Sequence, residues 1–306
     1  MKKLFVLVFA IALCLGVLCV GASAGYSGTP TKPEQGDGTA EKPYQIGTAE
    51  ELYCFAQQVN SGSTDISAVL TADITINENV LDTDGTLNGI PTYTWTPIGN
   101  SDNRAYTGTF DGDGHTISGL YYDGSSKYVG LFGYVGSSGR VQNVNIADSY
   151  ISNNGASNTG GVCGRNSGTV TNCSVSDSVF SGNNGNPVAS EFAHVGGVCG
   201  WNYGGTITNC SNKGSVNSDA YVGGVNSDAY VGGVCGWNYG GTISNCYNTG
   251  NVTGTTAGGL CMINDGTIRN CYNTGNVTGT TAGGLCGLKY STITICYNIG
   301  SVTGSG

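Results

Sequence analysis

From Gly130 onward, apolar and polar positions alternate in short runs of three to five residues separated by Gly and Asn, as in TITN, TISN and NVTG. Alternation of period two over so few residues predicts short strands bounded by turns. Further upstream the period changes. Leu52, Phe55, Ala56 and Val59 share one helical face, and Thr48 followed by Glu51 forms a capping box, so an amphipathic helix is expected over Ala49 to Asn60, ending near Gly62. Strands are expected near Ala68 to Ile76 and Thr107 to Leu120.

The strand runs recur. Gly-Gly pairs open units at Gly160, Gly196, Gly232, Gly258 and Gly283, at intervals of 36, 36, 26 and 25 residues. The long intervals have local causes: an insert around Asn183 to Phe192, and a tandem copy of NSDAYVGGV at 217–225 and 226–234. Aligning the units places Val170, Ile207, Ile243, Ile268 and Ile293 in one column, and Val179, Val216, Val252, Val277 and Val302 in another. Units of about 25 residues with three short strands cannot bury an apolar face alone, but stacked as coils they build one continuous core. The expected class is all-β, a parallel β-helix with coils about 4.8 Å apart. Asn166, Asn202, Asn238 and Asn264 recur three residues after the first Cys of each unit, where their amides can bond from coil to coil. Lys289 ends that column, and Ile295 ends the column Asn172, Asn209, Asn245, Asn270.

Gly-Gly-Val/Leu-Cys-Gly followed by Gly-Thr-Ile-x-Asn-Cys-Tyr-Asn-x-Gly-x-Val resembles the GLUG repeat of bacterial surface proteins, including adhesin-like proteins and the repeat arrays of some IgA-cleaving metallopeptidases. The match covers roughly 129–306, and YQIGTAEELYCFAQQVNSG with WTPIG and YTGTFDGDGHTISGLYYDG looks like the segment preceding such repeats in exported proteins. The resemblance implies a right-handed parallel β-helix at the cell surface. It implies no chemistry, because the repeat is a scaffold that accompanies several functions.

The division of the chain follows. Lys2 and Lys3, an apolar run from Leu4 to Val20, and Ala22-Ser23-Ala24 read as a signal peptide over 1–24, so the chain is expected to be secreted or surface-held, with no span left after cleavage. Residues 25–43 read as a flexible leader, 44–128 as an N-terminal cap with the first coils, and 129–306 as the repeats. The helix is expected to cover the first coil, since a solenoid exposes an unpaired edge at each end. No comparable cap follows Val302, which fits a chain that is part of a longer protein.

Composition narrows the partners. Of 306 residues, 53 are Gly and 10% are charged, and without the signal 9 Lys and Arg stand against 20 Asp and Glu. No basic cluster exists after residue 3 to release phosphate counterions, so nucleic acid is not an expected partner. Ten cysteines fall in pairs within units, Cys163/Cys173, Cys199/Cys210, Cys235/Cys246, Cys261/Cys271 and Cys286/Cys296. The preceding coil carries Phe132 and Val144 at both positions, which marks them as core. Absent together or present together, the pairs favour disulfides within coils in an oxidising space; bridges between neighbouring coils and reduced, buried thiols are the other readings. Neither short Cys-x-x-Cys spacing nor a neighbouring His supports a metal, and no phosphate-loop motif supports a cofactor.

The chemistry expected is recognition rather than catalysis. His115 and His194 lie outside any HExxH motif, and the repeat-region acids, Asp148, Asp177, Glu191, Asp219, Asp228 and Asp265, share no recurring column. The leading expectation is a non-catalytic surface β-helix with an adhesive or scaffold role. Trp201, Tyr203, Trp237 and Tyr239 in the WNYGG turns are the candidate contacts for host or neighbouring-cell glycans or proteins; packing of these rings between adjacent coils is the competing reading. The alternatives are a carbohydrate-active lyase or hydrolase and, remotely, an ice-binding Thr-x-Thr face at Thr169/Thr171, Thr206/Thr208, Thr242/Ser244 and Thr292/Thr294.

Overall fold

Gly and Asn corners cut each repeat into strands of two to five residues, each too short to pair with its sequence neighbours, so every strand bonds to its counterpart one coil away. The computed structural model describes residues 25–155, 157–182, 192–218 and 229–304. The signal segment, most of the insert and much of the tandem copy lie outside them. The described strands form five sheets of 9, 8, 7, 6 and 6 strands, in which each strand from Thr109–Asp111 onward pairs in parallel with the strand five places on. One coil runs through Thr169–Thr171 on the first sheet, Ser174–Val175 on the second, Val179–Gly182 on the third, Ala193–Gly196 on the fourth and Cys199–Tyr203 on the fifth. This is a parallel β-helix.

Five strands per coil replace the expected three. Alternation identifies the Thr-Ile-Thr and Asn-Val-Thr runs, but the strands around the Gly-Gly pair hold one or two apolar residues each and carry no period. The Ile column is as expected, with Val170↔Ile207, Ile207↔Ile243, Ile243↔Ile268 and Ile268↔Ile293 in register. The Val column needs one correction: Phe180, not Val179, pairs with Val216, and Val179 pairs with Ser215. Phe180 is fully buried and continues the column from Ile151. Two aromatic or β-branched neighbours at the end of a strand leave the inward position undecided until its partner coil is known.

Three asparagine ladders run along the molecule. Asn166 donates to Asn202, Asn202 to Asn238 and Asn238 to Asn264, each at 2.8 Å, in the corner between the fifth and first sheets. The exposed ladder Asn172, Asn209, Asn245, Asn270 sits at φ between 52° and 55°, a left-handed conformation that Asn adopts more readily than other side chains. A third ladder, Asn212, Asn248, Asn273 and Asn298, was not singled out in the sequence and bonds at 2.7–2.8 Å.

The helix α1, Ala49–Ser61, lies over the first coil. Thr48 Oγ accepts from the Glu51 amide, while Glu51 Oε2 accepts from the Gly47 amide at 2.8 Å, one residue earlier than a standard capping box. Its buried face includes Leu52, Phe55, Ala56 and Val59, and Phe55 meets Tyr106 and Phe110 at 6.0 and 5.8 Å between ring centres. The start of the segment expected as a flexible leader packs against α1. Tyr26 stacks on Tyr53 at 3.9 Å, and the Ser27 amide donates to Glu50 Oε1 at 2.8 Å, so an aromatic ring and a free carboxylate on α1 hold it down.

Candidate functional site

The aromatic candidates stand on two neighbouring strands of the fifth sheet, Cys199–Tyr203 and Cys235–Tyr239. Gly200 makes the arrangement possible. A Cβ there would lie 2.6 Å from the Thr159 amide nitrogen and 2.7 Å from the His194 carbonyl oxygen, and a Cβ on Gly236 would lie 2.7 Å from the Val195 amide nitrogen. With glycine the strand presses against the fourth sheet, Cys199 and Asn202 turn inward, and Trp201 turns out.

Register places Trp201 beside Trp237 and Tyr203 beside Tyr239. The indoles lie 5.5 Å apart at 12° and the phenols 5.4 Å apart at 13°, while each Trp meets the Tyr of its own coil edge-on, at 5.0 and 5.4 Å. Packing between coils is therefore real. It leaves the outer part of the phenols free, with Tyr203 41% and Tyr239 45% exposed.

Residues not singled out by sequence complete the strip. Outward side chains of the fourth and fifth sheets converge, so His194 lies 5.8 Å from Trp201 and 5.2 Å from Trp237, with Tyr230 beside it at 5.6 Å. Burial pushes His194 down to about 3, so its ring is neutral at physiological pH, and Nδ1 lies 2.7 Å from Asn158 Oδ1. Arg165 occupies the Trp column one coil earlier, its guanidinium 4.5 Å from the rings of Tyr134 and Tyr203 and 4.8 Å from Trp201. Arg165 also bonds Tyr128 Oη at 3.2 Å and Asp102 at 3.5 Å. The Tyr128 hydroxyl, above all, holds the Asp102 carboxyl below its usual range. Trp237 Nε1 donates to Asp265 at 2.9 Å. Trp201 has Tyr239 at the equivalent place and leaves its buried Nε1 without an acceptor.

The ten repeat cysteines form two files rather than five compact pairs. Cys163, Cys199, Cys235, Cys261 and Cys286 follow one another in register on the fifth sheet. Cys173, Cys210, Cys246, Cys271 and Cys296 stack at the corner after the first sheet, where the Cys210, Cys246 and Cys271 amides each donate to the sulfur of the next coil at 3.3–3.4 Å. Phe132 and Val144 continue the files and are fully buried, as expected.

The fold also gathers acids, and two that show no recurring column in the sequence, Asp148 and Asp177, take the same corner of neighbouring coils at φ 44° and 43°, between strands in register on either side. An open cleft of about 580 Å³ is lined by Asp82, Asp84, Asp148, Asp177 and Lys213. Asp148 accepts from the Val80 and Leu81 amides at 3.1 and 2.9 Å, which ties the 79–88 hairpin to the coils. Among the described residues no group of three or more His, Cys, Asp or Glu is placed to hold a metal ion, and no helix is long and apolar enough to cross a membrane.

Coils, ladders and cap together define a β-helix repeat protein. Two of its repeats match the GLUG motif, at residues 193–217 and 227–253. The chain is 33% identical over 170 residues to halomucin of Haloquadratum walsbyi and 35% identical over 141 residues to a protein of Evansella cellulosilytica described as a candidate Gly-rich membrane protein. These matches take in 54% and 45% of this chain but only 2% and 15% of those relatives. The fold is similar to a crystal structure from Bacteroides ovatus described as a candidate immunoglobulin A1 protease, with TM-score 0.62, 23% identity, 87% of this chain and 77% of that one. It is also similar to an IgA1 protease, with TM-score 0.52 and 17% identity over 84% of this chain and 20% of that one. At such identities the likeness concerns the fold.

Proposed function

We propose that the protein is an exported cell-surface β-helix with an adhesive or scaffold role and no catalysis of its own, in which Trp201, Tyr203, Trp237 and Tyr239 contact glycans or proteins of a host or neighbouring cell. The observation that carries the reading is the half-exposed phenol pair, backed by stacked indoles, Arg165 and His194. A rigid aromatic surface loses little entropy on binding. The names of two relatives, a halomucin and a candidate Gly-rich membrane protein, support a location at the cell surface. Glycan-array and host-cell binding of the intact protein is compared with Tyr203→Ala/Tyr239→Ala and Trp201→Ala/Trp237→Ala variants. Loss of binding in both supports the strip, unchanged binding removes it, and no binding by the parent favours a passive spacer.

A second reading, a carbohydrate-active enzyme, has its locus in the cleft of Asp82, Asp84, Asp148, Asp177 and Lys213. Release of oligosaccharides from a polysaccharide panel, abolished by Asp177→Asn, would replace the first reading with this one.

A further inference from the structure

We propose that in the exported protein the repeat cysteines are bridged along the solenoid axis, between neighbouring coils of one file, and not within a coil. The proposal rests on the export reading, because it needs an oxidising compartment.

Three observations carry it. First, the two cysteines of each coil stand at different places on it: Cys235 lies on the fifth-sheet strand Cys235–Tyr239, and Cys246 lies in the corner after the first-sheet strand Thr242–Ser244, with the Asn238–Gly241 corner between them. Second, the cysteines of the fifth-sheet file are register partners of one another, Cys163↔Cys199, Cys199↔Cys235, Cys235↔Cys261 and Cys261↔Cys286. Register partners in a parallel sheet are about 4.8 Å apart, inside the range of about 4.4–6.8 Å between Cα atoms that a disulfide spans. Third, each sulfur sits between a carbonyl of its own coil, Trp237 O at 3.2 Å for Cys235, Ser244 O at 3.2 Å for Cys246 and Ile263 O at 2.9 Å for Cys261, and one of the coil before. Cys235 Sγ lies 3.9 Å from Gly200 O, Cys261 Sγ 3.8 Å from Gly236 O, and Cys246 Sγ 3.8 Å from Ile207 O, each a carbonyl of the preceding coil. Each sulfur thus approaches the coil that holds its file neighbour.

Each bridge joins two thiols, releases two protons and passes two electrons to an exchanging protein disulfide of the exocytoplasmic space, which leaves as a dithiol. Burial raises the thiols of Cys173, Cys199, Cys210 and Cys261, so the bonds form while coils are still closing rather than in the finished core.

The geometry has a countable consequence. Five members per file allow two axial bridges per file, so four bridges leave three thiols among the eleven described cysteines: Cys54 and one from each file. The unpaired member must be the first, third or fifth of its file, so Cys199, Cys261, Cys210 and Cys271 are always bonded. Bridging within coils would instead give five bridges and leave Cys54 as the one thiol.

The full chain with its own signal is secreted into a bacterial periplasm, denatured without reductant in iodoacetamide, and read by intact mass and peptide mapping. Three alkylated thiols and cross-linked peptides within a file are expected. More than three alkylated thiols, or any cross-link between the two files, overturns the proposal. Cys235→Val gives a second reading, because the remaining four members of its file can all pair: thiols fall from three to two, whereas bridging within coils predicts a rise from one to two. Retention of the chain in the cytoplasm with its signal intact would sink the export reading alone. The same count is then taken on protein oxidised in a glutathione redox buffer, with the same outcomes.

Discussion

Ile295 holds the position that Asn172, Asn209, Asn245 and Asn270 hold in earlier coils, and it keeps their left-handed backbone at φ 52°. A β-branched side chain is strained there, and this one is 82% exposed, so it gains little burial in return. Ile295→Asn is expected to stabilise the protein by about 1 kcal/mol, read as a higher midpoint of chemical denaturation. His194 supplies a pH dependence. In the unfolded chain it takes up a proton near pH 6.5, but in the fold burial lowers this to about 3. Between those values the unfolded state binds the proton and the folded state does not, so stability is complete above about 6.5 and declines as the pH falls toward 3. The expected loss between pH 7 and 5 is about 2 kcal/mol, in a window above most carboxylate titration. His194→Asn should flatten the profile over that window, and an unchanged slope would assign the effect elsewhere.

A strand of this solenoid is stabilised by its counterparts on adjacent coils more than by its own sequence. Two to five residues cannot hold a conformation alone, yet the in-register partners align identical side chains at identical depth. The buried ladder shows the consequence: Asn238 accepts from Asn202 and donates to Asn264, with no solvent exposure. Asn238→Ala leaves the Asn202 amide and the Asn264 oxygen each one partner short, an expected loss of about 2 kcal/mol by thermal or chemical denaturation. Asn209→Ala, on the exposed ladder, should cost a smaller amount because water replaces the partners.

Across the whole molecule the architecture is one-dimensional, with each coil touching its neighbours and α1 closing the first. Residues 245–261 and 270–286 are identical, so excision of 262–286 joins matching columns and removes one coil. The shortened chain is expected to unfold in one cooperative transition at slightly lower stability, since nearest-neighbour contacts are lost from only one interface. Phe55→Ala, by contrast, opens the cap over Tyr106 and Phe110 and should cost about 3–5 kcal/mol. Calorimetry of both variants compares the two effects directly.

The sequence by itself determined the repeat, the solenoid class, the inward Ile and Cys columns, two Asn ladders and the capping helix, because stacking puts equal positions of successive units at equal depth. Whatever depends on the angle between sheets was not legible there. The five-sheet cross-section, Phe180 in place of Val179, the separation of coil-mate cysteines into two files, and the convergence of Arg165 and His194 on the Trp pair all arise where corners fold distant columns toward one another. Gly200 and Gly236 set that geometry through backbone contact, and side-chain patterning carries no trace of an absent Cβ.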